Sequence, residues 1–126
     1  ELFTEEDLVP DTTKGYMNIP DGELPKFKEG PFAKFPDFRL AVRHWMAYNA
    51  GLGNQGNPEG NVSVSFTVGK DGKAKDAKVE NRETTSSELE VAALYTIQRL
   101  PEFIPATQNG KPVAFRMTVA LRFENR

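Results

Sequence analysis

The 126-residue chain contains no cysteine. That excludes disulfides, thiolate nucleophiles and zinc–thiolate centres, but fixes no compartment, because chains without cysteine occur in oxidising and reducing spaces alike. No apolar run approaches the roughly 18 residues that a membrane-spanning helix needs. A charged n-region, an apolar h-region and a small-residue cleavage site are likewise missing from the start. The first residue is Glu1 rather than Met, so an upstream signal or anchor is expected. Histidine occurs once, at His44. With no companion ligands it reads as a helix-flank or surface residue rather than a general base or metal ligand. There is no Ser-His-Asp set, and the Gly-rich stretch 51–60 lacks the Lys-Ser/Thr of a phosphate loop. The chain is therefore read as non-catalytic, with no cofactor and no metal.

A strong charge of one sign is missing too. The net charge is −2, with an uneven spread. Residues 1–35 carry four Lys against eight Asp or Glu, whereas residues 36–126 carry twelve Lys or Arg against ten acids. Neither part has the basic stripe that nucleic-acid binding requires, so no nucleic-acid partner is expected. What is present is the composition of one soluble domain, 38% hydrophobic and 27% charged, long enough for a single modest core.

Two regions are distinguished. Residues 1–35 form an irregular, acidic N-terminal segment in which Pro10, Pro20, Pro25 and Pro31 alternate with Gly15, Gly22 and Gly30. Its apolar spots, Leu2-Phe3, Tyr16-Met17 and Phe32, show no period. Phe27, Phe32 and Phe35 are candidate anchors onto the body. Residues 36–126 form the folded domain. A first helix is predicted from Phe38 to about Tyr48, capped by Asp37, with Phe38, Ala41, Val42, Trp45 and Tyr48 on its apolar face. The Gly- and Asn-rich stretch 51–60 ends it as a mobile loop.

Asn61–Val68 alternates Val62, Val64, Phe66 and Val68 with Ser63, Ser65 and Thr67, the pattern of a strand buried on one side. Gly69-Lys70-Asp71-Gly72 is a hairpin turn, followed by a weaker, exposed strand over Lys73–Glu80. A second helix starts at Ser87, where Ser87 and Glu90 make a capping box. It buries Leu89, Ala92, Ala93, Thr96, Ile97 and Leu100 and stops at Pro101. After a bridge to an Asn109-Gly110 turn, Val113–Phe123 alternates for eleven residues, about twice the usual strand length.

The expected fold class is α+β: a three-stranded antiparallel sheet with two helices on one face, in the order helix-strand-strand-helix-strand. The first, most apolar strand takes the middle. The long last strand is then left with one free edge, and an unpaired row of backbone groups is a site for strand addition. Dimerisation through two last strands about a twofold axis is another use of such an edge. Arg116 and Arg122 on its outward face read either as contacts to an acidic partner segment or as charges that block edge aggregation.

Ordered along the chain, Glu59-Gly60-Asn61-Val62-Ser63-Val64-Ser65-Phe66-Thr67-Val68 with Asp71-Gly72, then Leu100-Pro101-Glu102-Phe103-Ile104-Pro105, then Gln108-Asn109-Gly110-Lys111-Pro112-Val113, are similar to the signature of TonB C-terminal domains. Leu24-Pro25-Lys26-Phe27 is similar to a segment of Bacteroidetes-type members. One departure is that Tyr48 is followed by Asn49 where the family usually has Pro. The resemblance implies a periplasmic energy-transducer module, membrane-anchored in the full-length protein. It implies binding of a peptide segment of an outer-membrane TonB-dependent transporter by strand addition, and energy from an inner-membrane motor reached through an upstream anchor. The partner-binding residues are then Val113, Ala114, Phe115, Arg116, Met117, Thr118, Val119, Ala120 and Arg122. The other reading is an extracytoplasmic sensory or interaction domain of a lipoprotein or anchored peptidase that keeps the fold without transporter coupling.

Overall fold

The computed structural model describes residues 1–13, 15–35, 37–49 and 59–123. Five short strands precede the first helix: β1 (Leu2–Thr4), β2 (Val9–Asp11), β3 (Tyr16–Asn18), β4 (Gly22–Glu23) and β5 (Lys26–Phe27). Then follow α1 (Phe38–Asn49), β6 (Gly60–Val68), β7 (Ala74–Val79), α2 (Ser87–Gln98), β8 (Phe103–Ile104), β9 (Ala106–Gln108) and β10 (Lys111–Phe123). The two helices fall where the apolar spacing places them. The predicted loop at 51–60 lies almost wholly outside the described residues.

The antiparallel unit β7-β6-β10 is the middle of the molecule, with β6 between its neighbours. Phe115 sits opposite Val68, and the register runs without a break to Phe123 opposite Gly60. That register puts Val62, Val64, Phe66 and Val68 on the same face as Phe115, Met117, Val119, Leu121 and Phe123, and all nine are buried. The stripes of α1 (Phe38, Ala41, Val42, Trp45, Met46) and α2 (Leu89, Ala92, Ala93, Thr96, Ile97) close the core over them.

The expected three-stranded sheet is corrected in extent. Among the described residues the sheet has six strands, because β1, β9 and β4 add to the central three. β9 pairs with the start of β10 across a tight turn in which Asn109 (φ 53°) and Gly110 (φ 79°) are both left-handed, the geometry that Asn-Gly favours. β1 runs parallel to β10, Leu2 opposite Ala114 and Thr4 opposite Arg116. A crossing of this kind has no short-range signal, since its two strands lie at opposite ends of the chain.

The leader is laid over the body. β4 pairs with β9, and β5 pairs with β8, Phe27 opposite Phe103. Phe27 is buried, with its ring 4.7 Å from that of Phe103 and 6.0 Å from that of Phe32. Phe35 stacks on Phe32 and on His44, the latter at 5.0 Å. Leu8 and Ile19 are also buried. The segment read as irregular is thus a series of short pairings: β1, β4 and β5 borrow partners from the body, and β2 pairs with β3 within the segment.

Two local expectations change. Tyr48 is 83% exposed, and Met46 takes its place in the core. The N-cap of α2 is Ser86, whose Oγ accepts from the Leu89 N–H at 3.2 Å, so there is no Ser87–Glu90 box. Glu90 instead lies 3.2 Å from Arg82. Asp37 does cap α1, its Oδ1 accepting from the Arg39 N–H at 3.0 Å. At the β6–β7 turn Gly72 is left-handed (φ 82°) and its carbonyl accepts from the Phe103 N–H at 2.7 Å. A Cβ there would collide with the Phe103 carbonyl.

Candidate functional site: the edge of the last strand

β10 has thirteen residues, and its two edges are used differently. One edge carries β6 from Phe115 to Phe123. The opposite edge carries β1 over Ala114–Arg116, where the Ala114 N–H donates to the Glu1 carbonyl at 3.3 Å. Backbone groups alternate in direction along a strand, so those of Ala114, Arg116, Thr118 and Ala120 all point to the β1 side. Past Arg116 the leader turns away in a 3-10 turn at Glu5–Asp7. Among the described residues no strand pairs with Met117–Phe123 on that side. The expectation of a wholly free edge is therefore corrected: Ala114–Arg116 is taken by the chain's own start, and the open stretch begins at Met117.

The turn that bounds the open stretch is well tied. Asp7 Oδ2 accepts from the Thr4 N–H at 2.9 Å and from Thr4 Oγ1 at 3.2 Å. Glu5 Oε1 lies 3.3 Å from Arg39 Nε on α1. That contact has no hydrogen-bond alignment, so it acts as an ion pair rather than a directed bond.

The predicted partner-binding residues divide by direction. Val113, Phe115, Met117 and Val119 are buried in the core and offer only backbone. Val113 is paired with Ala106, and the Phe115 ring meets Phe38 edge-on at 6.2 Å. Thr118, Ala120 and Arg122 are exposed on the other face and Ala114 is half-buried there.

Arg116 differs from what its outward position suggests. Its Nη1 donates to Thr67 Oγ1 at 2.8 Å and to the Asp76 carbonyl at 3.1 Å, and its Nη2 donates to Ser65 Oγ at 2.7 Å. Ser65 Oγ in turn donates to Glu80 Oε2 at 2.9 Å. The Asp76 carbonyl is presented because β7 bulges there: two residues, Asp76 and Ala77, face one residue of β6, and Asp76 is left-handed (φ 54°). Ser65 and Thr67 are consequently buried, although their alternation reads as a solvent face. The guanidinium ties β10 to β6 and β7, and does not reach toward a partner.

A concavity of about 270 Å³ lies within the leader against the start of α1, lined by Tyr16, Asn18, Leu24, Lys34, Phe35 and Phe38. It falls below the usual size of small-molecule pockets. No helix among the described residues is long and apolar enough to cross a membrane.

Fold and edge together define a small α+β domain whose longest strand, interior to the sheet at its start, has one edge without a described strand over its C-terminal part. The chain belongs to the TonB C-terminal family: the family model for the Gram-negative bacterial TonB protein C-terminal matches residues 54–124, a little over half of the chain. Members are periplasmic interaction domains of Gram-negative bacteria, associated with energy transduction rather than catalysis, and they interact with outer-membrane TonB-dependent receptors. No significant match to a functionally characterised protein was found. The matched span covers α2 and every strand from β6 to β10. It leaves out β1 and the rest of the leader, and with them the contact that sequence reasoning missed. Leu2-Phe3-Thr4 is too short to show a period, so composition offered no signal for it.

Proposed function

We propose that the domain captures an extended segment of an outer-membrane TonB-dependent transporter by adding it as a strand to β10, and that it passes on the work of an inner-membrane motor. The observation that carries this reading is the stretch of β10 beyond Arg116, where Thr118 and Ala120 direct their backbone groups to an edge with no described strand on it. Backbone hydrogen bonds give contact without demanding a fixed partner sequence. Met117, Val119 and Leu121 are already buried, so the strand that receives the segment is held rigid before it arrives. Thr118, Ala120 and Arg122 then set which side chains fit beside it. A ladder loaded along its strands resists as a set of bonds in shear, which suits the transfer of force.

The test is an amide NMR titration with a transporter-derived box peptide. The Thr118 and Ala120 amides should shift first, at up to millimolar peptide. Shifts confined to the helices or the leader, or no shifts at all, would overturn strand addition at this edge.

A further inference from the structure

We propose that residues Leu2–Thr4 are a removable internal occupant of the partner-binding edge, which an incoming segment displaces, placing an apolar side chain where Phe3 now packs. The inference rests on the strand-addition reading above and adds its regulation.

The pairing of β1 has the features of a cis ligand. It lies on the β10 edge that continues into the open stretch, directly before Met117. It is three residues long, whereas β6 holds the other edge over nine pairs. Its burial is slight: Leu2 is 51% exposed, and Phe3 and Thr4 are only half-buried. Phe3, opposite Phe115, is the side chain of β1 that packs against the core. The next fully buried residue of the leader is Leu8, so β1 and the Glu5–Asp7 turn can peel away while Leu8, Ile19 and Phe27 stay docked. Peeling breaks the Glu5–Arg39 ion pair and exposes the Ala114 and Arg116 backbone groups, lengthening the open edge toward β9. Because a competent state present only as a fraction lowers apparent affinity by that fraction, β1 acts as a threshold. Weak segments fail to displace it, and segments with an apolar residue for the Phe3 position succeed.

The test uses the natural absence of cysteine. Leu2→Cys with Ala114→Cys, paired across the sheet, locks β1 when oxidised and frees it when reduced. Phe3→Pro releases β1 without a cross-link. Two probes are titrated by NMR: a transporter-derived box peptide and a peptide copying residues 1–8. The expected result is that the box peptide binds the Phe3→Pro variant roughly tenfold tighter than the parent. It should shift the Ala114 and Arg116 amides in the reduced double variant, and lose those shifts on oxidation. Equal affinity in oxidised and reduced protein overturns the inference while leaving strand addition at Thr118 and Ala120 intact. If the box peptide binds no form, the functional reading fails by itself, and the copy peptide decides the inference. Binding of that peptide to Phe3→Pro at Ala114 and Arg116 supports an exchangeable occupant, and no binding overturns it.

Discussion

Replacing Arg116 by alanine removes three hydrogen bonds to β6 and β7 and leaves Ser65 and Thr67 buried with fewer partners. A loss of about 2 kcal/mol is expected by urea denaturation, since bonds from a charged donor are worth more than neutral ones. Arg116→Lys should recover only part of it, because an ammonium cannot present a fork to two hydroxyls and a carbonyl. At Asp71 the expected change is one of pH. The Lys73 N–H, donating at 3.1 Å, with Lys75 nearby, holds the carboxyl below its ordinary value of 3.8. The unfolded chain therefore binds the proton more readily. The contribution of Asp71 is complete above the ordinary value and is lost as pH falls through the lowered one. Asp71→Asn should lower stability slightly at neutral pH, where the contribution is complete, and flatten the profile below about pH 4, as read from urea midpoints across that range. The turn role of Asp71 was legible in Asp-Gly. The role of Arg116 was not, because its partners come from two other strands and from a bulge that no alternation pattern announces.

Periodicity is strongest in the longest elements, and there it located β6, α2 and β10 within one or two residues. Ends were less legible. Ser86 and Ser87 are chemically equal candidates for the cap, and only the chain path decides which hydroxyl meets the Leu89 N–H. Ser86→Ala should cost about 1 kcal/mol and Ser87→Ala close to nothing, by thermal denaturation of the pair. In α1 the apolar spacing runs on to Tyr48, but that ring is exposed and Met46 is buried instead. The β10 edge makes its own prediction. Pro lacks the N–H that Thr118 directs to the open edge, and strand prolines are tolerated where that group faces solvent. Thr118→Pro should leave the fold intact by circular dichroism and weaken box-peptide binding roughly tenfold, the loss of about one ladder bond.

At the scale of the molecule, the leader and the body share one core. Phe27, ahead of the family-matched span, is buried against Phe103 within it. Phe27→Ala should cost about 3–5 kcal/mol, as a large aromatic removed from a packed interior does. A value near zero in chemical denaturation would show that the leader merely rests on the surface. The amino-acid sequence by itself determined the two helices, the β6–β7 hairpin, the long last strand and the family, because those follow from residue periods and turn chemistry acting over a few positions. Tertiary structure alone decided that the first four residues lie along the last strand, that Arg116 reaches across the outer face of the sheet to β6 and β7, and that the open edge starts at Met117. Each of these joins groups far apart in the chain. Such contacts depend on which surfaces remain unpaired after the local elements have packed, and no local pattern of residues encodes that.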